Sequence, residues 1–228
     1  MTTRFARTAG TVAGCAAVIL AGMMISSPGV DGQNRANDEG EKGKIHRGFE
    51  IAPVKLNLVD KDLKMVGLGS YIVNAQAGCD GCHSAGPPTQ YLPGGNPYFG
   101  QPEAINPETY LGGGRNFGAF VPGSAEIVSR NLTPDNTGRP VGGLEFADFL
   151  KIIRTGVDLD QLHPNCPPGT INTGCIPRPF DGSLLQIMPW TEYRYMTDRD
   201  LRAVYEYLSA VPCIEGPPAP SPLHNDCN

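Results

Sequence analysis

The stretch Cys79-Asp80-Gly81-Cys82-His83 constrains this chain more than any other. Two cysteines three apart lie on one helical turn and a histidine follows at once, which is the attachment pattern for c-type haem. Each thiol can bond covalently to one haem side group, while the neighbouring imidazole ligates the iron from one face. The spacing matters because both sulfurs must reach adjacent edges of one rigid macrocycle as the ring nitrogen points at its centre. Two plainer uses of a close cysteine pair fit less well. A zinc ribbon asks for a second C-x-x-C, and the sequence has none. A thioredoxin-type dithiol follows a strand in a βαβ unit, whereas Cys79 follows a helical pattern. The chain has 29 glycines and 22 prolines among 228 residues, which predicts long ordered loops. A buried haem explains how so loop-rich a chain finds a core to wrap.

The beginning of the chain reads as an export signal. Arg4 and Arg7 give a positive start, and Val12 through Ile25 form an apolar run shorter than the roughly 20 residues of a membrane span. Residues 1–29 are therefore expected to be a signal peptide cut near residue 30. The alternative is an uncut anchor, the one case in which the chain would meet a membrane. The net charge of −5 falls further when Arg4 and Arg7 leave, and phosphate binding needs basic patches, so nucleic acid is excluded as a partner. Cysteine usage agrees with an oxidising compartment, the periplasm. Cys15 goes with the signal and Cys79 and Cys82 with haem. Cys166, Cys175, Cys213 and Cys227 remain, and proximity favours the disulfides Cys166–Cys175 and Cys213–Cys227.

Along the chain, residues 30–61 read as a flexible N-terminal extension, polar and poor in large apolar groups up to Arg47. Met65, Leu68, Gly69, Ile72 and Val73 then recur at helical spacing, with Asp60 or Asp62 as N-cap. That helix runs to Gly78, and Gly69 on its apolar side would let another helix approach closely. Residues 84–130 are rich in turn signals. Gly112-Gly113-Gly114 reads as a loop passing close to haem or backbone, since no Lys-Ser/Thr follows as in a phosphate cradle. Asn131-Leu132-Thr133-Pro134-Asp135 is a turn. Leu144 through Thr155 is a helix with Gly156 at C′, and residues 157–187 are loop. The last helix starts at Thr197, with Asp200 completing a capping box and Met196 and Leu201 a hydrophobic staple. Its stripe is Leu201, Val204, Tyr205 and Leu208. The tail 213–228 is Pro-rich and irregular.

The ligand opposite His83 decides what the iron can do. Met65, Met188, Met196, His46, His163, His224 and Cys166 are the candidates. Met65 reads as a packing residue, Met196 as the staple, and His46 and His224 as parts of mobile segments. Met188 comes first, in Ile187-Met188-Pro189-Trp190 before the final helix, and His163 in Leu162-His163-Pro164 is the runner-up.

Taken together, Cys79 through His83, the Asn131–Asp135 turn, Met188-Pro189-Trp190, Tyr193, Met196-Thr197-Asp198 and Asp200-Leu201 resemble class I c-type cytochromes over residues 62–212. The closest likeness is to haem domains of the cytochrome subunits of periplasmic alcohol and aldehyde dehydrogenases. The resemblance implies a mainly α chain with the cytochrome c fold, helices around one covalent haem, and long Gly/Pro-rich loop insertions. It implies that Met188 is the distal iron ligand opposite His83. Gly69 and Tyr71 would meet the stripe around Tyr205. The chain departs from the family by extra loop at 87–110 and around Cys166–Cys175, and by carrying a single haem motif. The function expected is single-electron transfer between a redox donor and acceptor that dock transiently, without enzymatic activity of its own. Its rivals are a catalytic haem protein with an open or displaceable distal ligand, and a partner-binding module in which the inserted loops matter most.

Overall fold

The computed structural model describes residues 30–85, 87–219, 221 and 223–228. The expected signal segment, and Cys15 with it, lies outside the described residues. In chain order the helices are α1 (Val30–Ile51), α2 (Leu63–Tyr71), α3 (Asp80–His83), α4 (Pro87–Gln90), α5 (Pro140–Gly143), α6 (Phe146–Thr155), α7 (Trp190–Tyr193) and α8 (Asp198–Leu208). Strands β1 (Asn116–Ala119) and β2 (Glu126–Val128) pair antiparallel.

A mainly α architecture is not what forms. Four of the eight helices have only four residues, a small antiparallel sheet is present, and long loops join the elements. Glycine and proline account for the long loops, since glycine supplies the positive φ that loops need and proline cannot continue a helix or a strand ladder. The sheet had a signal of its own. Pro122-Gly123 separates an aromatic stretch, Phe117 to Phe120, from the β-rich Glu126-Ile127-Val128.

The helical half is built on close approach. Asp62 caps α2, its carboxylate accepting from the Lys64 and Met65 amides at 2.9 and 3.3 Å. Of the two candidate caps, Asp62 is the one used. Where α2 crosses α8, Gly69 lies on the Ala203 carbonyl and Tyr207, and a methyl there would overlap both. Tyr71 lies with its ring beside Lys44 of α1. Helix α1 replaces the expected flexible lead-in. Gly48 faces Gly67 so closely that neither position has room for a side chain, and Ser70 Oγ donates to the Gly48 carbonyl at 2.6 Å. A largely polar sequence becomes ordered here because glycines let backbone meet backbone and because Ile45 and Phe49, one turn apart, pack against the core. Val66, Leu68, Ile72, Phe149, Leu201 and Tyr207 belong to the resulting core.

Helix α6 begins at Phe146, two residues later than expected, since Glu145 takes the extended cap conformation. It ends at Gly156 with φ of 72°. Thr197 and Asp200 form the full capping box at the start of α8, and all four residues of the predicted stripe are buried. Both expected disulfides, Cys166–Cys175 and Cys213–Cys227, are present. They tie the loop half, which has a small core of its own made by Ala125, Ile127 and Ile176. Among the described residues, no helix is long and apolar enough to cross a membrane.

Candidate functional site

Helix α2 does not run regularly to Gly78. After Tyr71 it widens into a π turn over Ile72–Gln76, in which the Ala77 amide reaches back to the Ile72 carbonyl at 2.8 Å. Such turns cluster at functional sites because the wider spiral re-aims the chain beyond it. Gly78 then takes φ of 58°, and α3 begins with Cys79 as its cap. The His83 and Cys82 amides both donate to the Cys79 carbonyl, at 2.9 and 3.2 Å, so the motif forms one tight turn.

Two chain passes hold this turn from below. The Gly113 amide donates to the His83 carbonyl at 2.7 Å, and the Gly114 amide donates to Ser129 at 2.9 Å. Gly113, at φ of 74°, lies directly on the Arg130 and Asn131 backbone, where no side chain fits. Gly113 therefore makes this glycine run a close-approach loop, and its backbone bonds with those of Gly114 fix the neighbouring passes. They bring the Arg130 carbonyl within 2.7 Å of His83 Nδ1, which fixes that nitrogen as the donor and leaves Nε2 free. A carbonyl near Pro87 or Pro88 does not take this role. Sequence distance hid the true partner, 47 residues away.

Cys79, Cys82 and His83 open on a cavity of about 470 Å³. That volume is within the roughly 300–1,000 Å³ typical of cofactor sites. Ile72, Leu132, Phe149, Ile153, Val204 and Leu208 give it apolar walls. Met188, Met196 and His163 line the same cavity. The other side chains that the sequence offered as partners of His83 are committed elsewhere. Met65 packs against the core, Cys166 is in a disulfide, His46 pairs with Glu50 on α1, and His224 bonds to Pro217 and Asp226.

Met188 is held by its backbone rather than by a helix. Its amide donates to Gln186 at 2.7 Å around Ile187, whose φ is 69°, and its carbonyl accepts from Trp190 at 2.8 Å around Pro189. Two tight three-residue turns thus flank the methionine, one of them through a β-branched residue at positive φ. Such a conformation persists only where its surroundings enforce it. The surroundings here are Trp190, whose ring lies against Gly156 and whose Nε1–H donates to Leu185 at 3.1 Å. Helix α7 also reaches the segment leading into the cysteine motif, since Tyr193 donates its hydroxyl to the Ala77 carbonyl at 2.9 Å. Met196 is the residue before the α8 cap, and its carbonyl accepts from Arg154 at 2.7 Å. Met188 and Met196 both pack against the main core.

The electrostatics suit a bound group better than thiolate chemistry. Burial, reinforced by Asp80 and Cys82, pushes the Cys79 thiol up to about 12. A dithiol exchange site needs the opposite shift. Burial also lowers His83, against the pull of the Arg130 carbonyl, so its imidazole is neutral and its lone pair is available. The Tyr193 hydroxyl is pushed up to about 12, first by burial and then by the two cysteines. Among the described residues, Cys79 and Cys82 are the unpaired cysteines. No three His, Cys, Asp or Glu side chains among them gather as they would around a zinc ion.

Comparison with known protein families, with curated proteins and with solved structures gives no match to this chain.

Proposed function

We propose that this chain is a periplasmic c-type cytochrome that carries one haem and passes single electrons between redox partners. One observation carries the reading. Two unpaired thiols, a neutral imidazole with its far nitrogen already anchored, and the Met188 thioether all line one apolar cavity. These residues fit haem c in number and kind, with Cys79 and Cys82 as thioether attachments, His83 as proximal ligand and Met188 as distal ligand. Bound there, the haem supplies one-electron chemistry, and methionine opposite histidine favours the reduced state.

The protein's own contribution is positional. The Arg130 carbonyl orients the imidazole, the paired turns around Ile187 and Pro189 hold Met188, and the apolar walls keep water away. Held by both His83 and Met188, a haem iron would have no vacant position for substrate, which supports transfer over catalysis. Two disulfides agree with an oxidising compartment. Donor and acceptor would dock transiently over a small interface.

The test is expression in a cell able to mature c-type haem. The protein should emerge coloured, keep its haem after denaturation, and lose that covalent link in Cys79→Ala/Cys82→Ala. The ferric form should show the charge-transfer band of iron–methionine bonding, absent from Met188→Ala. Colourless protein would defeat the reading. Survival of the band in Met188→Ala, with its loss in Met196→Ala, would move the distal ligand to Met196.

A further inference from the structure

The long loop after Gly156 reaches the proximal histidine indirectly. The Arg130 guanidinium lies against two carboxylates of that loop, Asp158 at 2.5 Å and Asp160. Asp158 is the inner partner, its side chain 7% exposed against 62% for Asp160. It is itself immobilised. Its amide donates to Ser183 at 2.9 Å, and its carboxylate also accepts from the Asp160 amide at 3.1 Å. Arg130, Asp158 and Asp160 all line the cavity, and Arg130 is the residue whose carbonyl accepts from His83.

We propose that Asp158 is a positioning residue for His83. By clamping the Arg130 side chain it fixes the main-chain carbonyl that orients the imidazole, and it balances the guanidinium charge beside the cavity. The inserted loop thereby acts on the iron through a salt bridge and one peptide unit. Both effects have one sign. A looser Nδ1–H bond makes His83 a weaker donor to iron, and an uncompensated guanidinium disfavours the ferric charge, so losing Asp158 raises the reduction potential. This inference rests on the haem reading above.

The experiment compares haem-loaded wild type, Asp158→Asn, Asp158→Glu and Arg130→Gln/Asp158→Asn by potentiometric titration. Proton exchange of the His83 ring N–H is followed by NMR in the reduced state. Asp158→Asn should raise the potential and speed ring exchange roughly tenfold, the factor that loss of one net hydrogen bond gives. Asp158→Glu should recover most of both. The double variant restores charge balance, so its potential should fall back toward wild type while ring exchange stays fast. Unchanged ring exchange in Asp158→Asn, or slow exchange in the double variant, would overturn the clamp. If Asp158→Asn fails to mature, Asp160→Asn should give the same changes at smaller amplitude, and unchanged ring exchange there overturns the proposal. Wild-type protein without covalent haem would defeat the functional reading, whereas haem-loaded variants that behave as wild type defeat the clamp alone.

Discussion

The two halves of this molecule hold themselves together by different means. In the helical half, α1, α2 and α8 meet through glycines, and the main core fills the space around the crossing. The loop half, residues 115–139 and 157–187 with the tail, has a core of three buried apolar residues flanked by Phe117 and Phe120. Both disulfides of the described residues are there. Where apolar burial is too small to offset chain entropy, covalent links and side-chain hydrogen bonds take over. Asn131 and Asn225 show this at the tail. Asn131 donates to Ile214 and Leu223, and Asn225 donates to the Thr133 and Pro134 carbonyls. The cavity lies between the two regimes, its cysteine motif on the helical side and Met188 at the end of the long loop.

This contrast can be broken first at Gly69. Leucine there would overlap the Ala203 backbone, and Gly69→Leu should cost about 3 kcal/mol or more, seen as a lower urea midpoint with loss of helical signal. An unshifted midpoint would mean that the crossing is not what holds this half.

The disulfide of the tail comes next. Replacing Cys213 and Cys227 by alanine opens a loop of 14 residues and should cost about 3 kcal/mol on the chain-entropy account. Hydrogen exchange should rise in residues 131–135 and 213–228 while α2 and α8 stay protected. Equal loss of protection in both regions would show one cooperative unit rather than two.

Gly156→Ala tests the joint between them. A methyl at that positive φ would collide with Trp190, so a loss of about 2 kcal/mol is expected. On the proposed haem reading, the iron–methionine band should weaken with it, because Trp190 holds the turn carrying Met188. A smaller effect, about 1 kcal/mol, is expected from Thr197→Ala, which removes the α8 cap, measured as a shift in Tm.

The smallest prediction concerns acid. Asp181, in the loop half, is held below the ordinary carboxylate range by the Ser183 amide and hydroxyl, with Asn165 assisting. The unfolded chain therefore takes up the proton first as pH falls. Stabilisation by Asp181 is complete above about pH 4 and is lost as pH drops through the folded-state value. Asp181→Asn should flatten the pH dependence of loop-half hydrogen exchange below that point, and an identical profile would remove this residue from the account.

Local chemistry was legible in the sequence. The Asp62 cap, the Thr197–Asp200 box, the Gly156 terminus, the small residue at Gly69 and both disulfide pairings are decided within a few residues or by simple proximity. The candidate site was legible to the extent that the cysteine motif and Met188 come to one cavity. Long-range and backbone-led features were not. The order of α1 rests on Gly48 meeting Gly67, the Nδ1 partner of His83 is a carbonyl 47 residues away, and the Arg130–Asp158 pair joins two loops. The mainly α expectation failed for the same reason, since a few amphipathic helices stand out in a sequence while ordered loops leave no periodicity. Residue type and spacing fix what a turn can bind or cap. Only the folded chain fixes which backbone groups meet, because every residue carries the same amide and carbonyl and nothing in a side chain names its distant partner.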